Sequence, residues 1–349
     1  MRGFAREPIS WLITADSAGK TALSAGKTCI SAARSEETVL PRAAQLPPAR
    51  GSRASPWSST FALRWYIVTM SDHHKLNDYL AAWQLANPQL LTQTLTSHIY
   101  TVTHENETVV LKLLSSAETE EQRGAVSLRY FAGRGAVRLL WYDDGAQLME
   151  YAAGDELVTL VERGEDETAT RIIAGVIQQL HSVPQNAPRD GLVGLDRWFG
   201  ALFNKAAADR HAGRESIYVR GAAVAERLLA DPRDIRVLHG DIHHYNIRQS
   251  ARGWLAFDPK GLVGERTYDY ANTLCNPGIS ELVHNETRLL TNAAILADMS
   301  ALDLHRVLAF TYAYACLNAS QWAQRGDGED IVEWFLKVAQ IIEPLLAPW

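Results

Sequence analysis

The chain has 349 residues, is 47% hydrophobic and 21% charged, and carries a net charge of −6. That length supports two lobes or two domains with a real core, and the composition is that of an ordinary soluble globular protein. The acidic balance argues against a nucleic-acid partner, the lack of an apolar stretch of about 18 residues argues against a membrane span, and the scattered Cys29, Cys275 and Cys316 form neither a metal-ligand spacing nor a disulfide framework, so a reducing, cytoplasmic setting is expected.

Residues 1–69 hold nine Lys/Arg against four Asp/Glu, a net +5, which leaves −11 on the rest. This stretch is rich in Ser, Ala and Arg and has no periodic apolar pattern. It reads as an extension, either transit-like or translated from a start called too early, with Met70-Ser71-Asp72 as the natural beginning. The acidic remainder would attract a small cationic substrate, although acidity that only maintains solubility is the plainer account.

From Met70 onward, Leu76, Tyr79, Leu80 and Trp83 at helical spacing predict a helix over 74–86, ended by Asn87-Pro88. Ile99–Val102 and Thr108–Leu114 read as two strands of a hairpin. Ser116 to Phe131 reads as a helix with acids in its first turn, and Val137–Trp141 and Ala146–Tyr151 as two more strands. After Gly154 the pattern becomes helical: Glu167–His181, Leu195–Arg210, Arg220–Ala230, then about 299–324 and 329–346. The chain thus predicts a small α+β lobe, residues 70–152, joined to a larger, mainly helical lobe, residues 153–349.

Chemistry concentrates in His239-Gly240-Asp241-Ile242-His243-His244-Tyr245-Asn246 and in Asp258, twelve residues further on. Ser250-Ala251-Arg252-Gly253 predicts a hairpin turn, which would bring Asn246 and Asp258 side by side as hard oxygen ligands for magnesium. Asp241 would accept the proton of an attacking hydroxyl. These are the groups phosphoryl transfer requires. Lys112, polar in an apolar strand, would bind phosphates, although such a lysine is often only an edge or snorkelling residue. Glu118, Glu120 and Glu121 are available to hold it, and Glu121 fits best; the same acids would also favour a helix N-terminus. Backbone groups of Glu150 and Ala152 would read an adenine edge, with Met149 packed behind. His239, Asp241, His243 and His244 suggest a zinc set, but one short loop with no distant fourth ligand favours loop support by His239.

The long run Leu238–Asn246, Gly253–Leu262, Gly264–Asn272 and Asn276-Pro277 resembles the aminoglycoside 6-phosphotransferase (streptomycin kinase) and hydroxyurea resistance kinase family. The likeness extends from about residue 90 to the end. It implies a two-lobed protein-kinase-like fold, ATP and magnesium as cofactors, Asp241 as catalytic base, Asn246 and Asp258 as metal ligands, and Lys112 with a helix Glu at the phosphates. Asp269 matches an aspartate that is mainly structural. There is no GxGxxG loop; the family's short Ser/Thr turn corresponds to Thr94–Ser97, with Ser97 facing the nucleotide. Tyr245 and Arg248 depart from the family pattern.

The resemblance implies a cationic antibiotic as acceptor, streptomycin or a similar aminoglycoside, and no protein partner beyond a monomer or weak dimer. Guanidinium groups pair best with carboxylates, so Glu265, Asp327 and Asp330 are substrate candidates, with Trp322 and Trp334 as stacking partners. A solvated turn and helix cap is the plainer account of 327–333. The alternative function is a same-fold kinase of a cellular alcohol or hydroxyurea. A pseudokinase would lack one of the four central groups, and all are present. A protein kinase needs a longer segment than the ten residues between Asp258 and Asp269.

Overall fold

The computed structural model describes residues 74–94, 96–115, 119–184, 190–326 and 328–346. The residues assigned to an extension lie outside this set. Two units are distinguished, Lys20–Asp78 and one containing Tyr79–Trp349. The first residues of helix α1 belong to the former, and every later element belongs to the latter.

Residues 74–82 form α1, and the chain then enters strand β1 (Ala86–Gln93), where a longer helix was expected. The helix ends four residues short of the expected 86, and Asn87-Pro88, expected to stop it, lie inside β1. The strand shows no alternating apolar pattern because all eight of its residues are exposed. Strands β2 (Ser97–His104) and β3 (Glu107–Leu114) form the expected hairpin. Helix α2 (Thr119–Phe131) follows, then β4 (Leu139–Tyr142) and β5 (Ala146–Glu150). The five strands make one antiparallel sheet in the order β1-β2-β3-β5-β4. Register aligns Lys112 with Ile99 on one side and Gln147 on the other, and Val110 with Met149. Because side chains alternate along a strand, all five of these residues share one face.

The remainder is mainly helical: α3 (Val158–Glu162), α4 (Asp166–His181), the short β6 (Val193–Gly194), α5 (Leu195–Trp198), α6 (Gly200–His211) and α7 (Ile217–Ala230). Then come β7 (Ile235–Leu238), the hairpin β8 (Ile247–Ser250) and β9 (Gly253–Ala256), and β10 (Leu262–Glu265). A 3₁₀ turn at Arg266–Tyr270 leads into α8 (Ala271–Leu274), α9 (Ser280–Val283), α10 (Glu286–Ser300), α11 (Leu304–Arg325) and α12 (Glu329–Ile342). Strand β10 pairs parallel to β6 and antiparallel to β7. Helix α11 is buried without interruption from Arg306 to Ser320. Asp303 caps its first turn by accepting from the Arg306 N–H at 2.8 Å. This is the architecture of a protein-kinase-like fold, a small antiparallel sheet with one helix above a larger helical part.

Two glycines fit α2 against the loop after β9. A Cβ on Gly124 would lie 2.5 Å from the Pro259 carbonyl oxygen, and one on Gly261 would lie 2.2 Å from Arg123 Cβ. Gly261 also has φ +71°, a conformation side chains disfavour.

Candidate active site

A cleft of about 430 Å³ opens beneath the shared sheet face. Ile99, Val110, Lys112, Gln147 and Met149 line it from the sheet, and Glu150, Tyr151 and Ala152 from the connection that follows β5. Asp241, Asn246, Phe257 and Asp258 line the other side. Pleating explains why Lys112 is buried in an apolar strand and yet reaches the cleft. Its Nζ lies 2.6 Å from Asp258 Oδ1. Burial alone would push the Asp258 carboxyl up, but the charges of Lys112 and Lys260 and the Lys112 hydrogen bond hold it well below the usual carboxylate range. Asp258 has φ +62°, a costly conformation for a non-glycine residue, at the point where the chain leaves β9.

The β8–β9 hairpin brings Asn246 and Asp258 to the same cleft, as expected: Phe257 N–H donates to the Asn246 carbonyl at 3.0 Å. Asn246 Nδ2 donates to the Asp241 carbonyl at 3.0 Å and to Asp241 Oδ2 at 3.3 Å. Its Oδ1 is therefore the atom left to act as a ligand. Asp241 is 7% exposed. Its other oxygen, Oδ1, accepts from Asn272 Nδ2 at 2.8 Å, and Lys260 Nζ lies 3.5 Å from Oδ2.

The loop is held from behind. Asp269 accepts from His239 N–H at 3.0 Å, Gly240 N–H at 2.7 Å and His181 Nε2 at 2.8 Å, the scaffolding role expected of it. The His239 ring accepts from Asp241 N–H at 3.3 Å and donates to the Phe257 carbonyl at 2.9 Å. Both ring nitrogens thus serve the backbone, which accounts for the residue without a metal. Burial pushes the rings of His239 and His243 below their ordinary range and that of His244 down to about 3.

A second, narrow pocket of about 20 Å³ adjoins the cleft at the same loop. Trp198, Lys260, Asn272, Asn276, Tyr314, Asn318 and Phe335 line it, and it shares Asp241 and His243 with the cleft. Its wall belongs to the aromatic core: Tyr314 packs on Tyr268 at 5.7 Å and on Phe335 at 6.3 Å, while Trp198 Nε1 donates to Tyr268 at 2.7 Å.

The substrate candidates are not gathered there. Glu265 is 2% exposed and forms a two-pronged pair with Arg306 at 2.6 and 2.5 Å. It also accepts from Thr267 at 2.8 Å and from Arg233 N–H at 2.9 Å. It is a core ion pair, because a carboxylate pointing inward from β10 needs a buried cation. Asp330 is exposed at the start of α12 and lines neither cavity. Asp327 lies outside the described residues. The indoles are engaged elsewhere: Trp334 donates to the Cys275 carbonyl at 3.0 Å, and Trp322 stacks under Arg325 at 4.6 Å. Ser97 is buried and bonds Thr94 Oγ1 at 2.9 Å within its own turn, so it does not line the cleft; Thr92 of β1 does. Glu121 lies on α2, but its side chain, like Glu118 and the Glu120 side chain, is outside the described set. Glu150 does border the cleft, while its carboxylate pairs with Arg252 at 2.9 and 2.5 Å.

Sequence reasoning missed Arg252, Lys260 and Asn272 as working residues. Arg252 read as a turn residue, yet it also donates to the carbonyls of Gly133 at 2.8 Å and Ala136 at 3.2 Å. Asp269 and Asn272, three apart in a helical turn, share a face, and that spacing was the available signal.

A sequence profile of the family described as aminoglycoside/hydroxyurea antibiotic resistance kinase matches residues 82–326. The streptomycin 3''-kinase of Klebsiella pneumoniae is 36% identical over 252 residues, 70% of this chain and 91% of that protein. The streptomycin 6-kinase of Streptomyces griseus is 39% identical over 165 residues, 46% of this chain and 52% of that protein. Among solved structures, a thermostable mutant of the aminoglycoside phosphotransferase APH(4)-Ia, in ternary complex with ADP and hygromycin B, superposes with a TM-score of 0.53. It is 12% identical and covers 76% of this chain and 97% of its own, a likeness of fold.

Proposed function

The chain belongs to the aminoglycoside/hydroxyurea antibiotic resistance kinases, and from that premise we propose that it transfers the terminal phosphoryl group of ATP, with magnesium, to a hydroxyl of streptomycin or a similar aminoglycoside. The observation that carries this reading is the position of Asp241, the carboxylate common to the nucleotide-sized cleft and the narrow pocket. A hydroxyl entering the pocket meets Asp241 from one side, and a phosphoryl group in the cleft meets the same residue from the other.

Roles follow from that arrangement. Glu150, Ala152 and Met149 border the cleft, and in this reading the backbone groups of Glu150 and Ala152 meet the adenine edge. Lys112 binds nucleotide phosphates. Asp258 and Asn246 Oδ1 are hard oxygen donors on one wall, the chemistry magnesium prefers. The ion, when bound, supplies neutralising charge at the phosphates. Asp241 accepts the hydroxyl proton while the acceptor oxygen bonds to phosphorus and the bond to ADP breaks. Most of the rate gain rests on holding these partners in line.

ADP release across a panel of aminoglycosides tests the proposal. Streptomycin should stimulate release by the unchanged protein, and Asp241→Asn should lower turnover about 10³-fold, as loss of a general base does. Full streptomycin turnover in Asp241→Asn would remove the mechanism. The pocket's small volume favours one second reading, a compact acceptor such as hydroxyurea or a small cellular alcohol. ADP release stimulated by those compounds and not by streptomycin would select it.

A further inference from the structure

Lys260 has no part in these roles, yet it is among the most enclosed cations of the site, at 6% exposure. Its backbone N–H donates to the His239 carbonyl at 2.7 Å, which fixes where its side chain starts. The side chain lines the narrow pocket, and Nζ stands 3.5 Å from Asp241 Oδ2. Lys112 lines the cleft, 2.6 Å from Asp258. Lys112 therefore faces the cavity the phosphoryl group leaves, and Lys260, beside Asp241, faces the cavity it enters. A buried ammonium costs much solvation unless negative charge meets it. In transfer, negative charge on the three outer phosphoryl oxygens moves past Asp241 toward the pocket.

We propose that Lys260 is a catalytic residue that binds the phosphoryl group as it passes from the cleft to the acceptor. The oxygen–phosphorus bond to the acceptor forms, the bond from phosphorus to the ADP oxygen breaks, the hydroxyl proton goes to Asp241, and the Lys260 ammonium keeps its own proton throughout. The inference rests on the phosphotransfer reading but not on which hydroxyl compound is the acceptor.

The test measures ADP release with streptomycin and with water as the only acceptor, in the unchanged protein, Lys260→Met, Lys260→Arg, Asp241→Asn and the double variant Asp241→Asn/Lys260→Met. ADP affinity and melting temperature report folding. Lys260→Met should lower kcat about 100-fold in both assays, the usual loss on removing one transition-state contact, with KM and ADP affinity within about threefold. Lys260→Arg should keep part of the activity. The double variant should fall about a further 10-fold below Asp241→Asn. A double variant equal to Asp241→Asn would mean that Lys260 only balances the Asp241 charge, and would overturn the proposal. So would near-normal kcat in Lys260→Met. If Lys260→Met does not bind ADP, Lys260→Gln takes its place with the same expectations. Absence of streptomycin-stimulated release in the unchanged protein counts against the substrate, while the water reaction still decides Lys260.

Discussion

Asn272 shows how a side chain bonded to the base can set the reaction geometry. Its Nδ2 holds Asp241 Oδ1 at 2.8 Å, and its own Oδ1 is held by Asn276 Nδ2 at 2.8 Å. Arg288 in turn donates to the Asn276 carbonyl at 3.1 Å. The chain of bonds fixes the carboxylate's rotation. Asn272→Ala is expected to lower kcat about 30-fold with KM for both substrates little changed, since positioning errors act on the attack step. Steady-state kinetics check this, and an equal rise in KM would refute it. Asp241, Asn246, Asp258 and Lys112 were legible in sequence because their chemistry demands rare residue types at tight spacing. Asn272 and Lys260 were not picked out: Asn272 offered only its spacing from Asp269, and a lysine carries no signal until the fold turns it toward a carboxylate. Glu265 misled for the reverse reason: sequence displays a carboxylate near the site but not the Arg306 buried against it.

At the scale of elements, α2 meets the loop bearing Asp258 backbone to backbone through Gly124 and Gly261. Gly124→Ala puts a methyl group 2.5 Å from the Pro259 oxygen, so the helix or the loop must shift. The expected result is loss of about 1–3 kcal/mol of stability, typical of overpacking, and at least a tenfold fall in kcat without loss of expression. Chemical denaturation and kinetics on the same protein measure both. The elements with strong periodicity, α4, β3 and the β8–β9 hairpin, were plain in the sequence. Strand β1 was not, being wholly exposed, and α10 was passed over. The Leu195–Arg210 helix proved to be two, α5 and α6, divided at Phe199.

For the molecule as a whole, acid stability follows from ion pairs that span distant segments. Asp166, at the start of α4, accepts from Arg288 of α10 through both oxygens at 2.8 Å and from Asn292 at 2.9 Å. Burial alone would raise its pKa, but Arg288 and Asn292 hold it below the ordinary aspartate value. Glu150 is lowered in the same way by Arg252 against the effect of burial. A depressed carboxylate stabilises the fold above its unfolded pKa, and that stability is lost as pH falls through the folded value. The melting temperature should therefore hold from pH 8 to about 5 and drop toward pH 3. Asp166→Asn should cost about 2 kcal/mol at neutral pH, the worth of hydrogen bonds to a charged group, and progressively less as pH falls below the ordinary aspartate range; an unchanged acid limb would refute the assignment. Arg252 has a wider consequence. It ties the hairpin turn to Glu150, Gly133 and Ala136 at the back of the cleft. Such a clasp braces the rear of the cleft, whereas Leu91 and Thr92, on the wholly exposed β1, line it with no comparable brace among the described residues. The expected consequence is that exchange takes place at the β1 rim and that loosening the Arg252 clasp changes the rate of ADP release more than the phosphoryl step, which pre-steady-state kinetics of Arg252→Ala would measure.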